Sequence, residues 1–264
     1  MIMNHDLAEI LERSEINYMI DRMIAIQERE GNPEGVEINE FGLCTAFYSR
    51  TMPWGLFNNV KGLIEEEVLE NVLMFYEERE RKFEIQIIPS KVNQDVLKLL
   101  SQRGFYQSGF HTTLYCDSVG INSGQKEEIH IRELLEDEFE IYAEIHCLGT
   151  GLSLEGKSYV AANNKVLYAR RGWKYYIGFY NDIPAAVAVM YMEDNVASLT
   201  FATTLPDYRN KGFQTHLLQR RINDAYKNAC KLVVSQTSYC SSSHRNMERV
   251  GMKIGYTRST WIRA

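Results

Sequence analysis

Between Val196 and Ala229 the spacing of the apolar residues changes from that of a strand to that of a helix, across a loop that carries two cations. Val196 to Ala202 alternates, and Thr215 to Ala229 keeps one apolar face at helical spacing. The join reads Thr203-Thr204-Leu205-Pro206-Asp207-Tyr208-Arg209-Asn210-Lys211-Gly212-Phe213-Gln214-Thr215. A strand, a tight loop and a helix N-terminus in this order form an anion site. The first-turn N–H groups have no intrahelical acceptor, and the helix dipole adds partial positive charge there. Gly212 removes a side chain where a ligand would approach, Arg209 and Lys211 supply charge suited to a diphosphate, and Pro206 stops the strand.

The surrounding pattern alternates strands and helices. Ile129 to Leu134 reads as a strand, Asp137 to Ile145 as a helix, residues 149–153 as a loop and Ser158 to Tyr168 as a second helix. Trp173 to Tyr180 and Ala185 to Met192 form a hairpin that turns at Asn181-Asp182, and Glu193-Asp194-Asn195 turns into the strand from Val196. Lys231 to Gln236 is a short buried strand and Gly255 to Ile262 a final one. The aromatic run Trp173, Tyr175, Tyr176 and Tyr180 is expected to be mostly core, since alternation turns half of it inward.

In this order of elements, the Arg209-x-x-Gly212 loop resembles the signature of the GNAT superfamily of acetyl-coenzyme A dependent N-acyltransferases. The family pattern is Arg or Gln, two residues, Gly, one residue, then Gly or Ala; here Gln214 stands at the last place and leaves less room for a pyrophosphate. Ser241 to Met252 resembles the family's second conserved helix, with Met252 where Phe is usual.

The first half carries a fainter copy. Arg103-Gly104-Phe105, followed by Gly109-Phe110 and Tyr115, lines up with Arg249, Gly251-Met252, Gly255-Tyr256 and Trp261. Ahead of it lie a strand, Phe83 to Ile88, and helices over Ile64 to Glu80 and Asn93 to Gln102. The expected division is a degenerate GNAT-like domain over 1–118, a linker over 119–128 with Gly120, Asn122, Ser123, Gly124 and Gln125, and a GNAT N-acetyltransferase domain over 129–264. The fold class is therefore α/β (α+β), two GNAT-like domains, each with a mixed, mostly antiparallel sheet flanked by helices and containing a splayed parallel strand pair. The copy has no Arg-x-x-Gly; Phe57 to Leu63, with Lys61 and Gly62, stands at the matching place. The charged run Glu77 to Lys82 is expected to be the solvated end of a helix.

Composition narrows the function. A net charge of −6 argues against a nucleic-acid partner, which calls for a basic face. No apolar run approaches the roughly 20 residues that span a bilayer. The residues around His5 lack the features of a signal peptide, so a cytoplasmic location without membrane attachment is expected. Cys44, Cys116, Cys147, Cys230 and Cys240 lack Cys-x-x-Cys spacing, which makes buried free thiols the default. The histidines are scattered, and no metal is expected.

The resemblance implies acetyl-CoA as cosubstrate and a small amine or peptide as acceptor, with a homodimer left open. It places the thioester where the strands Val196 to Thr203 and Leu232 to Gln236 part. The cofactor-binding set is then Ala202, Thr203, Thr204, Arg209, Asn210, Lys211, Gly212, Phe213, Gln214, Thr215, Ser243 and Asn246. The family's usual general acid, a Tyr, falls on Met247 or Gly251 here; Tyr239 is the candidate replacement. Glu193, Glu144 and His146 are the candidate bases, alongside direct proton loss to water, with Glu193 carried forward as the catalytic candidate. A non-catalytic acyl-CoA binding or sensing protein is the alternative.

Overall fold

A computed structural model of the chain describes residues 2–52, 54–120 and 127–263. They divide into two compact units, one of Ile2–Thr113 with the residues from Ile254 on, the other of Leu114–Lys253. This differs from a cut at a linker over 119–128: the last strand groups with the N-terminal residues. Most of the expected linker, residues 121–126, lies outside the described residues.

In the N-terminal unit, α1 (His5–Gln27) is followed by β1 (Val36–Phe41), β2 (Cys44–Ser49), β3 (Asn59–Gly62), α2 (Glu66–Glu77), β4 (Glu84–Ile87), α3 (Gln94–Gln102) and the first part of β5 (Phe105–Asp117). Asn4 caps α1 by accepting from the Leu7 N–H, and Asn93 caps α3 in the same way. β1, β2 and β3 run antiparallel in sequence, β3 and β4 are parallel, and the chain's final strand pairs antiparallel with β4 through Ser259↔Ile87 and Trp261↔Ile85. That pairing is why the last strand belongs to this unit. Leu69, Val72, Leu73 and Tyr76 of α2 and Val96 and Leu100 of α3 pack on Ala46, Val60, Ile85 and Ile87. The Tyr76 hydroxyl donates to the Phe47 and Asn59 carbonyls, so its polar end is satisfied inside the core.

Phe57 to Leu63 is not a loop. A 3-10 turn over Gly55–Phe57 leads into β3, and the segment before α2 holds Leu63, Ile64 and Glu65. The run from Glu77 is more than a solvated helix end: Arg79 forms a two-pronged pair with Glu37 and lies 3.9 Å over the Phe75 ring, while Arg81 donates to Asn58 and the Met52 carbonyl.

The C-terminal unit continues from the end of β5 with β6 (Ile129–Glu133), α4 (Phe139–Thr150), α5 (Lys157–Tyr168), β7 (Trp173–Tyr180), β8 (Ile183–Glu193), β9 (Val196–Thr204), α6 (Phe213–Lys227), β10 (Leu232–Thr237) and α7 (Ser242–Arg249). The final strand, β11 (Lys253–Arg263), follows. β6 to β9 form an antiparallel meander; its hairpin turns use Asn181-Asp182 and Asp194-Asn195, all at positive φ, as two-residue turns require. The unit's sheet order is β5-β10-β9-β8-β7-β6. Trp173, Tyr175 and Tyr176 are buried as expected. α6 and α7 cover one sheet face through Phe213, Leu217, Leu218, Ile222 and Met247 against Ala186, Ala188, Met190 and Leu199.

Cys44, Cys147 and Cys230 are buried free thiols, Cys116 is half-buried and Cys240 exposed. Among the described residues, no helix is long and apolar enough to cross a membrane, and no group of three or more His, Cys, Asp or Glu could hold a metal ion.

Candidate functional site

β9 and β10 run parallel from Leu232↔Val196 to Ser235↔Leu199, and their pairing stops there although both strands continue. The Ser235 hydroxyl donates to the Leu199 carbonyl at 3.2 Å, the last tie before they part. At the same level the pairing of β8 with β9 shifts between Val189 and Tyr191, so β9 carries an extra residue opposite Met190. The shift turns Phe201 and Thr203 toward α4: the Phe201 ring stacks on His146, and a methyl group on Gly149 would lie 2.4 Å from Thr203 Oγ1. Ala202 and Thr204 face α6, where Ala202 packs on the core and Gln214 Nε2 reaches Thr204 Oγ1 at 3.4 Å.

Arg221 holds this irregular stretch from inside. Its Nε donates to Leu217 O, and its Nη1 donates to the Val189 and Phe201 carbonyls at 3.1 and 3.0 Å. Burial draws its guanidinium down to about 10, against an opposing pull from Tyr176. In sequence it is one of two adjacent arginines on a helix; only the packing shows which of the two turns inward.

After β9 the chain makes a 3-10 turn over Pro206–Tyr208, passes Asn210 at φ +63° and enters α6 from Gly212 at φ +110°. Only glycine adopts that last conformation without strain. No side chain caps α6 and its first turn holds no acidic residue, which leaves its N-terminus suited to an anion. Arg209 Nη2 donates to the Gly149 carbonyl at 2.9 Å, tying the loop to the end of α4.

Together these elements line a cleft of about 500 Å³. Ala202, Thr203, Thr204, Arg209, Asn210, Gly212, Phe213, Gln214, Thr215, Ser243 and Asn246 all meet there, eleven of the twelve cofactor candidates named from the sequence. The twelfth, Lys211, is held over the Tyr180 ring with Nζ 4.3 Å from its centroid and does not line the cleft. Tyr208, Ser242 and Arg249 also line it and were missed. Ser242 and Arg249 sit on the face of α7 that Asn246 shares, so helical spacing from Asn246 would have found both. Gln214 lies along the wall, reaching Thr204.

The two catalytic candidates are not brought to the cleft. Glu193 lies in the turn between β8 and β9, where it pairs with Val196, and the cleft is at the other end of β9. Five residues of strand separate its partner Val196 from Phe201, roughly 16 Å at about 3.3 Å each. Tyr239 is 59% exposed and meets the His244 ring edge-on, outside the lining. Met247, at the place of the family's usual acid, is buried in the core. Of the other candidate bases, Glu144 pairs with Lys157 at 3.0 Å, while His146 stacks on Phe201 with ring centroids 4.1 Å apart.

No protein-family model matches the sequence, and no curated protein does. Solved structures do match. A GCN5-related N-acetyltransferase from Kribbella flavida superposes with a TM-score of 0.66 at 11% identity, covering 92% of this chain and 95% of its own. One from Sphaerobacter thermophilus gives 0.65 at 12% identity, covering 93% and 91%. A tandem GNAT protein from the clavulanic acid biosynthesis pathway gives 0.64 at 9% identity, covering 91% and 86%.

Proposed function

From a chain that has the fold of the GNAT N-acetyltransferases over more than nine-tenths of its length, we propose an enzyme that moves an acetyl group from acetyl-CoA to a primary amine. The observation that carries this reading is the convergence of the Arg209 to Thr215 loop, the parting of β9 and β10, and one face of α7 on a single cleft. The α6 N-terminus with Gly212 and Arg209 would take the diphosphate. The unpaired edge of β9 from Ala202 to Thr204 would bind the pantetheine arm as an added strand does. Ser242, Ser243 and Asn246 would close the other side.

The N-terminal unit reads as a degenerate copy. Its parallel pair β3 and β4 also parts, after Asn59↔Glu84 and Val60↔Ile85. But Glu65, Glu66 and Glu67 stand at the start of the following helix, where carboxylates repel a phosphate. The gap beyond the pair is occupied by Lys61 and Gln86, hydrogen-bonded to each other, and by Glu15 from α1.

The test is calorimetric titration with acetyl-CoA, CoA and ATP, on the wild type and on Arg209→Ala. Micromolar binding of the first two, weakened about 10-fold or more by loss of a charge-assisted contact, is expected. Equal binding by the variant, or ATP competing at the same site, overturns the reading. The buried Met247 at the usual acid position favours one alternative, a non-catalytic acyl-CoA binder; tight binding with no acetyl transfer to any amine would select it.

A further inference from the structure

We propose that His146 is the base that deprotonates the acceptor amine, in a tautomer fixed by Tyr142 and Asn164. The assignment rests on the acetyl-transfer reading above and deepens it.

The inference starts at Asn164 on α5. Its Nδ2 donates to the Val160 carbonyl at 2.8 Å, a bond that only the amide nitrogen can make. Its Oδ1 therefore faces the two phenols that reach it, Tyr142 at 3.3 Å and Tyr175 at 3.2 Å. Facing a carbonyl oxygen, each phenol must donate. Tyr142 has one proton, so toward His146 Nδ1, 3.4 Å away, it offers only a lone pair. The imidazole then carries its proton on Nδ1 and leaves Nε2 as the basic nitrogen. This is the order of parts in an activated catalytic base: an imidazole, a group that sets its tautomer, and a second group that orients the first.

The placement agrees. Tyr142 and Tyr175 are fully packed and cannot turn away, whereas His146 is half-buried and lies flat on Phe201. Phe201 is two residues past the last paired step of β9 with β10. Thr203, which meets Gly149 of α4, lines the same cleft as the residues of α6 and α7, so the cleft reaches the face of the sheet that α4 covers, and on that face the amine would approach the thioester. His146 is on that face. Of the ionisable groups on the elements packed around it, Glu144 is bonded to Lys157, Arg209 to the Gly149 carbonyl, and Tyr142 and Tyr175 form the relay itself.

In the proposed step Nε2 takes one proton from the ammonium and passes it to water. The neutral amine nitrogen bonds to the thioester carbon. The carbon–sulfur bond then breaks, and the thiolate leaves with the second proton shed by that nitrogen, so one proton is released for each amide formed.

The test uses the full chain, acetyl-CoA, and three probe amines: spermidine, tyramine, and a peptide with a free α-amine and one lysine. Transfer is followed by thiol release across neutral pH, and acetyl-CoA binding by calorimetry. His146→Gln is expected to bind acetyl-CoA with unchanged affinity, to transfer about 10²- to 10⁴-fold more slowly, and to lose the acidic limb of the kcat/KM profile. His146→Phe, which keeps a ring on Phe201, should be equally slow. Long-range proton–nitrogen NMR should show His146 protonated on Nδ1 in the wild type and as a tautomer mixture in Tyr142→Phe. A His146→Gln variant with wild-type rate and pH limb, an Nε2-protonated His146, or acetyl-CoA binding without turnover of any probe would each overturn the assignment. Failure of the wild type to bind acetyl-CoA would instead overturn the cofactor reading beneath it.

Discussion

Arg221 on α6 donates through Nη1 to the carbonyl oxygen of Phe201 on β9 at 3.0 Å, and the residue is only 2% exposed. The same nitrogen reaches the Val189 carbonyl of the neighbouring strand, so one guanidinium serves the two strands at the point where their register shifts. Replacing it with Met leaves those two strand carbonyls without the guanidinium inside the core. The expected loss is about 3 kcal/mol, since each buried unsatisfied group costs about 1–3 kcal/mol. It would be read as a lower urea midpoint with an unchanged slope. Arg221→Lys should also destabilise, because an ammonium lacks the fork that spans two strands and a helix carbonyl.

Glu15 in the N-terminal unit accepts from Lys61 at 2.9 Å and from Arg258. Burial is the largest influence on both partners. For Glu15 it works upward but is outweighed by Arg258 and Lys61, so its carboxyl falls from 4.5 to about 2; for Lys61 the nearby Arg258 adds to burial, and the amine falls to about 8. We take Glu15 as ionised, one carboxylate against two cations. Its folded value lies below its unfolded one, so the stability it confers is fully present above pH 4.5 and is lost as pH falls toward 2. The size is about 3 kcal/mol. Acid titration of the wild type should show this decline. Glu15→Gln should be destabilised by about 3–5 kcal/mol at neutral pH, since two buried cations lose their partner, and should lack the acid-dependent part.

One acetyl-CoA is expected to bind per chain. The parted strands of the N-terminal unit already hold Lys61, Gln86 and Glu15, and carboxylates occupy the helix start where a diphosphate would sit. Calorimetric stoichiometry checks this; two sites per chain would show that α1 gives way.

Gly149→Ala is expected to weaken acetyl-CoA binding without changing any group in the cleft. A methyl group there meets Thr203 Oγ1 at 2.4 Å, so either Thr203 or the end of α4 has to move, and Arg209 holds that end by the Gly149 carbonyl. Loss of about 1–2 kcal/mol of affinity, roughly 5- to 30-fold, would follow from misplacing one charge-assisted contact. Gly151→Ala, where a methyl group meets nothing within 4 Å, tests backbone strain alone at φ +79° and should leave affinity unchanged.

Much of this was legible in the residues. β7, β8, β9, β10, α3, α5 and α6 begin and end within three residues of where alternation, helical spacing and turn residues put them, because turn and capping residues bound apolar runs of strand or helix length. α1 was not legible: Glu12, Glu15 and Arg22 are buried along with Leu11, Met19 and Met23, so no polar face marks it as a surface helix. The cofactor cleft was found because its residues are close in sequence. Glu193 failed for the opposite reason, since closeness in sequence along a strand is distance in space. Arg221 and the His146 relay depend on which side chains meet across four elements, and no local pattern encodes that.

The place of β11 bears on how the protein is made. Residues 2–113 are made before the C-terminal unit, yet the strand beside β4 is supplied by residues made after the whole of that unit. The earlier of the two units is therefore completed only after the later one has been made, and until then the edge of β4 is open. A chaperone or a transient partner strand would find its opening there. A chain cut at residue 128 would strand β11 in one fragment and its pairing edge in the other.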